Sequence, residues 1–206
     1  MSSRIATTAV RGRFLDIQHP VTQACEIHDQ VRYVEDGLII IQDGKIQWFG
    51  TWEAGQAHLP ENIEVAHYPE QLIVPGLIDT HIHFPQTEMV GAYGEQLLEW
   101  LNTYTFPTEI QFQDAAYSEK IAEFFVQELL KNGTTTALVF CTVHPESVDA
   151  LFNAATTRNM RLIAGKVLMD RHAPEVLTDT AETAYSDSKA LIEKWHGQGR
   201  NLYAIT

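Results

Sequence analysis

The chain has 206 residues, with 14 lysines and arginines against 27 aspartates and glutamates, and its formal net charge is −13. This negative charge opposes the attraction to phosphates that dominates nucleic-acid binding, so we expect no nucleic-acid partner. The chain has no apolar run near the roughly 20 residues of a membrane span, no secretory signal and only two cysteines, Cys25 and Cys141, so we expect a cytoplasmic protein without a membrane partner.

A small β domain is predicted at the start of the chain. Residues 5–17 have the composition of a strand, and two later apolar runs flank Asp43 and Gly44. An Asp-Gly pair between apolar runs is a strong signal for a two-residue hairpin turn, because both turn positions need positive φ. We therefore assign residues 1–71 to an N-terminal β domain.

The most informative stretch is an apolar run over residues 72–83 that ends in two histidines, His81 and His83. On a β-strand, side chains two positions apart point to the same face with Cα atoms roughly 6.6 Å apart, so both imidazoles can bind one metal ion. The run predicts a buried strand of a parallel barrel, and the ends of such strands carry catalytic groups. Because the chain has nine histidines, a chance pairing is the alternative explanation.

Helices and strands then alternate along the chain. A loop with a short helix over residues 95–102 is followed by a helix over Ala115–Lys131 that ends at Asn132 and Gly133. Four apolar residues define the predicted buried face of this helix: Ile121, Phe124, Phe125 and Leu129. Thr134–Phe140 is rich in β-branched residues and predicts the second strand.

The pattern continues with a helix that begins near Pro145. Its predicted buried stripe consists of Val148, Leu151, Phe152 and Ala155. Residues 161–169 predict the third strand, Asp179 with Glu182 predicts a capping box for the last helix, and residues 202–206 predict the start of a fourth strand. A complete (β/α)8 barrel takes about 250 residues, so we expect residues 72–206 to form its first three and a half βα units.

Four segments carry a resemblance to a known family. Residues 75–86, PGLIDTHIHFPQ, resemble the first-strand motif of the amidohydrolase superfamily, in which the His-x-His binds a divalent metal. Residues 88–109, 132–140 and 164–170 are similar to the guanine-deaminase family within that superfamily. The resemblance implies an α/β fold: the first half of a metal-dependent-hydrolase (β/α)8 TIM barrel, with the N-terminal part of a small β-sandwich.

The resemblance also implies hydrolysis of guanine to xanthine and ammonia by a zinc-activated water, with one zinc ion per site, in a homodimer. His81 and His83 would be metal ligands, and the stretch from His83 through Phe84 and Pro85 to Gln86 would line the guanine pocket. The family's other ligands and its proton-transferring glutamate are expected beyond Thr206, so we expect no catalytic acid or base among these 206 residues. The isolated chain is therefore expected to be inactive and poorly soluble.

Two other functions stay open. Another heterocycle deaminase of the superfamily would share the two histidines but not the similarity over residues 88–109. A non-catalytic half-barrel that serves only as an assembly module would fit the length of the chain.

A few further polar and aromatic residues also invite a functional interpretation. His144 and Glu146 match half of the cytidine-deaminase zinc motif, but its Pro-Cys-x-x-Cys half has no match in the chain. Lys166 is expected to be structural or salt-bridging, and Asp79 to accept hydrogen bonds from neighbouring backbone. Trp100 could stack on a purine or pack within its own loop.

Overall fold

The computed structural model describes residues 7–20, 22–23, 27–94 and 96–206, apart from the side chains of residues 28 and 29. It divides into two compact units, the first ending at Pro75 and the second beginning at Gly76. Each unit has its own sheet and its own buried apolar core. Cys25 lies outside the described residues.

A four-stranded sheet with the order β3-β2-β1-β4 forms the first unit. Its elements are β1 (Thr7–Ile17), α1 (Ile27–Gln30), β2 (Val31–Gln42), β3 (Lys45–Thr51), α2 (Trp52–Gly55) and β4 (Val65–Ile73). β2 is antiparallel to β1 and β3, whereas β4 is parallel to β1. Asp43 and Gly44 connect β2 to β3 with φ angles of 51° and 74°, which confirms the predicted hairpin.

Parallel strands in sequential order form the sheet of the second unit. They are β5 (Leu77–His83), β6 (Thr134–Phe140), β7 (Arg161–Gly165) and β8 (Asn201–Tyr203). The helices are α3 (Leu97–Trp100), α4 (Phe106–Ile110), α5 (Ala115–Lys131), α6 (Pro145–Thr157) and α7 (Ala181–Trp195). The unit is thus a run of βα repeats with an open parallel sheet, which confirms the predicted α/β class. Within the described residues, no helix is both long and apolar enough to cross a bilayer.

The ends of α5 agree with the prediction because local side chains determine them. Asp114 precedes the helix, and its carboxylate accepts hydrogen bonds from the backbone N–H groups of Ala116 and Tyr117. At the other end, Gly133 has a φ of 87°, a conformation that glycine adopts without strain. The helix therefore stops at Lys131, and β6 begins at Thr134, one residue after Gly133.

The buried faces of α5 and α6 pack in the core of the second unit. All four residues of the predicted α6 stripe are buried: Val148, Leu151, Phe152 and Ala155. For α5 the prediction is right at Ile121 and Phe125 but wrong at Phe124, whose side chain is 55% exposed. Ala122 and Val126 are buried instead, because the buried face is centred on the side of α5 away from Phe124.

Two of the predicted strands have different bounds in the structure. The run over residues 72–83 is divided between β4, which ends at Ile73, and β5, which begins at Leu77. The predicted burial of this run is wrong for most of its apolar side chains, because β4 and β5 are edge strands of their sheets; those of Leu72, Val74, Leu77 and Ile78 are 49% to 69% exposed. Pro75 lies between them and has no N–H to donate to a sheet. The third strand ends at Gly165 rather than at residue 169, since the next backbone N–H, that of Lys166, points to the Tyr203 hydroxyl.

Three more differences concern the segments next to these strands. The last strand covers Asn201–Tyr203 rather than residues 202–206. The capping box of α7 is formed by Thr180 and Thr183, not by Asp179 and Glu182, because the Asp179 carboxylate is bonded to a lysine. The short helix predicted over residues 95–102 is described from Leu97, and a π-helical turn, Leu101–Thr105, joins α3 to α4.

Candidate metal centre

His81 and His83 lie together at the carboxyl end of β5. Their Nε2 atoms are 3.3 Å apart, and their ring centroids are 5.2 Å apart. The separation follows from the strand geometry, because residues two positions apart share a face of the sheet. The structure thus brings together the two histidines that the sequence spacing singled out.

The separation of the two nitrogens fits a shared zinc ion. Two imidazole nitrogens that bind a tetrahedral zinc ion at about 2.0 to 2.1 Å lie about 3.3 to 3.4 Å from each other. The observed Nε2 to Nε2 distance is 3.3 Å. Among the described residues, no third His, Cys, Asp or Glu joins the pair to complete a site. His81 and His83 are therefore suited to supply two of the three protein ligands that catalytic zinc sites use.

Phe140 packs against both histidines, and this contact was not predicted from the sequence. Its ring stacks on His83 with a centroid separation of 4.8 Å and an interplanar angle of 10°, and it lies 5.0 Å from the ring of His81. The contact arises because β5 and β6 are parallel neighbours in which His83 is paired with Phe140. Aligning the ends of the two predicted strands would have pointed to this residue.

The surroundings of His83 favour its neutral form. Burial lowers the pKa of His83, and the nearby charge of His81 lowers this pKa further. A neutral imidazole is the form that binds a metal ion, since its ring nitrogen keeps a free electron pair. The environment of His83 is therefore consistent with a role as a ligand.

A 3₁₀ turn, Phe84–Met89, follows the histidines and carries the remaining candidate residues. Phe84 and Pro85 are buried, and the Phe84 ring packs edge-on against Phe112 at 4.9 Å. The Thr87 hydroxyl donates a hydrogen bond of 2.7 Å to the Phe84 carbonyl, which closes the turn. Gln86 is less buried, and no other described residue bonds to its carboxamide. Its donor and acceptor are therefore free for a ligand.

A cleft of about 770 Å³ opens beside this turn. His81, His83, Gln86 and Trp100 all line it, whereas Phe84 and Pro85 do not. The indole N–H of Trp100 donates to the carbonyl of Ala92 at 3.2 Å, so Trp100 packs on its own loop while its ring also borders the cleft. The cleft thus brings a flat aromatic surface near a free carboxamide and two imidazoles.

Lys166 and Asp79 have the structural roles that were predicted from the sequence. The Lys166 ammonium pairs with Asp179 at 2.6 Å, which confirms a salt-bridging role. Asp79 accepts a hydrogen bond of 3.0 Å from the backbone N–H of His81, as predicted. His144 precedes the first residue of α6, and its Nε2 atom is buried without a hydrogen-bond partner in the described part of the chain.

Comparison with known proteins identifies the family of this chain. The sequence profile of the amidohydrolase family matches residues 72–203, which is more than half of the chain. The chain belongs to the amidohydrolase family. The matched region contains both histidines, the 3₁₀ turn and all four strands of the parallel sheet.

Several relatives within the family have been named or solved. The guanine deaminase of Escherichia coli is 58% identical over 206 residues, which is 100% of this chain and 47% of the relative. The probable guanine deaminase of Deinococcus radiodurans is 40% identical over 192 residues, covering 91% of this chain and 44% of the relative. This amidohydrolase chain therefore spans about half the length of the curated relatives that it matches.

Solved structures agree with the sequence relatives. The structure of Escherichia coli guanine deaminase has a TM-score of 0.93 at 59% identity, covering 97% of this chain and 46% of that protein. A guanine deaminase from C. acetobutylicum, solved with guanine bound in its active site, has a TM-score of 0.80 at 28% identity, covering 98% of this chain and 46% of that protein. Both structures have the barrel fold that the resemblance implied.

Proposed function

We propose that the protein to which this chain belongs hydrolyses guanine to xanthine and ammonia at a zinc site that includes His81 and His83. One observation carries the proposal: the two Nε2 atoms lie at a zinc-binding separation of 3.3 Å in a chain that is 58% identical to a guanine deaminase over all 206 residues. The bound guanine in the C. acetobutylicum relative supports the choice of substrate.

The chemistry explains why imidazoles are wanted here. Carbon 2 of guanine carries an amino group in an amidine-like system, so its displacement by water at neutral pH needs a strong nucleophile. A zinc ion bound here would supply one by lowering the pKa of its coordinated water to about 7. In this chain, His81 and His83 would hold the ion through neutral Nε2 atoms, and the stacked ring of Phe140 would keep the His83 imidazole oriented.

Substrate recognition is proposed to involve the stretch from His83 through Phe84 and Pro85 to Gln86. The Gln86 carboxamide can donate and accept, and an unpartnered pair of this kind matches the edge of a purine. A site that hydrogen-bonds one edge of its substrate rejects molecules without that edge, since the buried amide of the site would then have no hydrogen-bond partner. Phe84 and Pro85 are buried and do not line the cleft, so they would contribute by anchoring the turn in the core.

The remaining parts of the active site are proposed to lie outside the described residues. Catalytic zinc takes three protein ligands and a water molecule, and the described residues bring two ligands together. We place the other ligands and the proton-transferring carboxylate in sequence that the relatives have and that this chain does not span. We further propose that residues 1–71 form part of a β-sandwich, that residues 72–206 form part of the barrel, and that the enzyme is a cytoplasmic homodimer.

The test uses the full-length gene product, meaning every residue that the gene encodes. After loading with zinc, it should convert guanine to xanthine, followed by the change in ultraviolet absorbance, with about one zinc ion per chain by atomic absorption. Adenine and cytosine serve as control substrates. Turnover of another heterocycle without xanthine formation from guanine would contradict the proposed substrate, and no turnover in a zinc-loaded protein would contradict an enzyme of this class.

A further inference from the structure

The 3₁₀ turn that carries Gln86 is fastened to α5 by one long-range hydrogen bond. The hydroxyl of Tyr117 donates to Glu88 Oε2 at 2.5 Å, across 29 residues of sequence. Glu88 lies two positions after Gln86, and its side chain is exposed. Because its carboxylate has no other partner among the described residues, the bond to Tyr117 is the directional contact that its side chain makes.

Tyr117 is itself held in place before it contacts the turn. Its backbone N–H donates to the Asp114 cap at 3.2 Å, and its ring packs edge-on against Phe112 at 5.1 Å. Burial raises the pKa of Tyr117, and the bond to Glu88 raises it further, so the hydroxyl stays protonated as a donor. A rigid side chain on a long helix therefore provides the fixed end of the contact.

Apart from the bond to Tyr117, the described hydrogen bonds of the turn join residues that are close in the sequence. Phe84 fixes the beginning of the turn in the core, and the Thr87 hydroxyl closes it onto the Phe84 carbonyl. Met89 is buried at the end of the turn, and its carbonyl accepts a hydrogen bond of 3.0 Å from the backbone N–H of Ala92. The Gln86 carboxamide has no hydrogen-bond partner among the described residues, so its direction depends on the backbone of the turn. Among the described residues, the bond from Tyr117 to Glu88 is the hydrogen bond that joins the turn to α5, beside the apolar contact of the Phe84 and Phe125 rings at 5.5 Å.

We propose that Tyr117 and Glu88 are positioning residues that orient Gln86 toward the substrate. The inference rests on the proposed function, in which Gln86 contacts guanine. Neither Tyr117 nor Glu88 needs to touch the substrate or the metal ion. Their effect is to reduce the number of orientations that the Gln86 carboxamide samples before guanine binds, which is a form of preorganisation.

The first measurement compares Tyr117→Phe with the unaltered full-length gene product. The variant removes the hydroxyl and keeps the ring that packs on Phe112. The KM for guanine should rise about threefold to tenfold, the size of effect that one hydrogen bond gives, while kcat and bound zinc stay the same. Tyr185→Phe is the matched control, because the Tyr185 ring is 70% exposed on α7, and it should leave KM unchanged.

Variants at Glu88 test the same bond from its exposed side. Glu88→Ala should raise KM as Tyr117→Phe does, whereas Glu88→Gln keeps an acceptor oxygen and should retain most of the original KM. These variants also serve if Tyr117→Phe folds poorly, since the Glu88 side chain is exposed. Equal KM values for Glu88→Ala and the unaltered protein would overturn the proposal.

A double-mutant cycle separates positioning from a general structural effect. If Tyr117 acts through Gln86, then Tyr117→Phe should have no further effect on kcat/KM in a Gln86→Ala background. Additive losses would show that Tyr117 acts elsewhere and would overturn the positioning role. The failure of the proposed function is distinct, because it appears in the unaltered protein as an absence of xanthine formation, and the positioning role would fall with it.

Discussion

Two groups of polar side chains follow the parallel strands of the second unit, and they differ in whether their atoms are paired. The first, which we call the β5 site, consists of His81, His83 and Gln86. The second, which we call the buried polar group, consists of Thr142, Ser147, Lys166 and Asp179. Apart from the contact between the two imidazoles, the side chains of the β5 site have no hydrogen-bond partner among the described residues. In the buried polar group every member is bonded to another member.

The bonds of the buried polar group account for its burial. Lys166 is 0% exposed and Asp179 is 9% exposed, and their charged atoms lie 2.6 Å apart. The Thr142 hydroxyl donates to the Ser147 oxygen at 2.9 Å, and the Ser147 hydroxyl donates to the His144 carbonyl at 2.8 Å. Burying a polar atom without a partner costs free energy, so these bonds are needed for folding. The unpaired polar atoms of the β5 site lie beside a cleft and are, in contrast, available for a ligand.

The largest expected effect is the loss of a ligand from the β5 site. In the full-length gene product, His81→Ala or His83→Ala should lower kcat for guanine by more than about a hundredfold and reduce bound zinc. Losing only a hydrogen-bond partner of a ligand typically costs up to about a hundredfold, and here the ligand itself is lost. His67→Ala, at an exposed histidine of the first unit, is the control and should change neither quantity. Full zinc content with normal turnover in either ligand variant would contradict the assignment.

The buried polar group should respond in stability rather than in metal binding. Asp179→Asn leaves the buried Lys166 ammonium without a counter-charge, which should lower the free energy of unfolding by about 3 to 5 kcal/mol. Glu128→Gln is the matched control, because it removes a carboxylate from an exposed pair with Lys131 at 3.1 Å and should cost less than about 1 kcal/mol. Urea unfolding of the full-length gene product measures the change in free energy for each variant. Equal losses in the two variants would mean that burial does not distinguish the groups.

How far the sequence predicts this molecule depends on how local the deciding contacts are. The bounds of α5 were predicted because its end signals lie within the helix or next to it, at Asn132 and Gly133. The end of β7 was predicted four residues too late, because it depends on the hydroxyl of Tyr203, which is 37 residues away from Lys166. The α7 capping box was predicted one residue too early for a similar reason, since the Asp179 carboxylate is bonded to Lys166.

The same division holds in the β5 site. His81 and His83 were recognised because a period of two along one strand brings them together. Phe140 and the bond from Tyr117 to Glu88 were missed, since they depend on strand register and on a contact across 29 residues. Spacing within one element is visible in a sequence, whereas the neighbours of that element are visible only in the fold.

Glu109 tests a third case, a buried side chain without a hydrogen-bond partner in the part of the chain that the structure describes. It is 8% exposed on α4, and burial raises its pKa from 4.5 to about 7. Between pH 4.5 and pH 7, Glu109 therefore stays protonated in the folded state and ionises in the unfolded state. The free energy of unfolding should fall as pH rises from about 4.5 to about 7, by about 3 kcal/mol in total. Below pH 4.5, Glu109 is protonated in both the folded and the unfolded state, so this loss of stability is absent.

Glu109→Gln should remove this pH dependence, because the variant cannot ionise. Urea unfolding at pH 5 and pH 8 measures the difference, and Glu193→Gln, at an exposed glutamate of α7, is the control that should keep the slope of the unaltered protein. An identical slope in Glu109→Gln and the unaltered protein would mean that the Glu109 carboxylate finds a partner. It would then resemble the buried polar group.

The smallest expected effect concerns Gln86, where the β5 site meets the substrate rather than the metal ion. Gln86→Ala should keep the zinc content of the full-length gene product, because the carboxamide lies on the turn after the histidines and forms no hydrogen bond with either of them. The value of kcat/KM for guanine should fall roughly fivefold to 150-fold, since a purine edge would lose its partner at a cost of about 1 to 3 kcal/mol. Gln113→Ala, at an exposed glutamine that does not line the cleft, should leave the kinetics unchanged. If Gln86→Ala also left them unchanged, then a free carboxamide beside the cleft would not be evidence of ligand contact, and the contrast between the two groups would hold for the histidines alone.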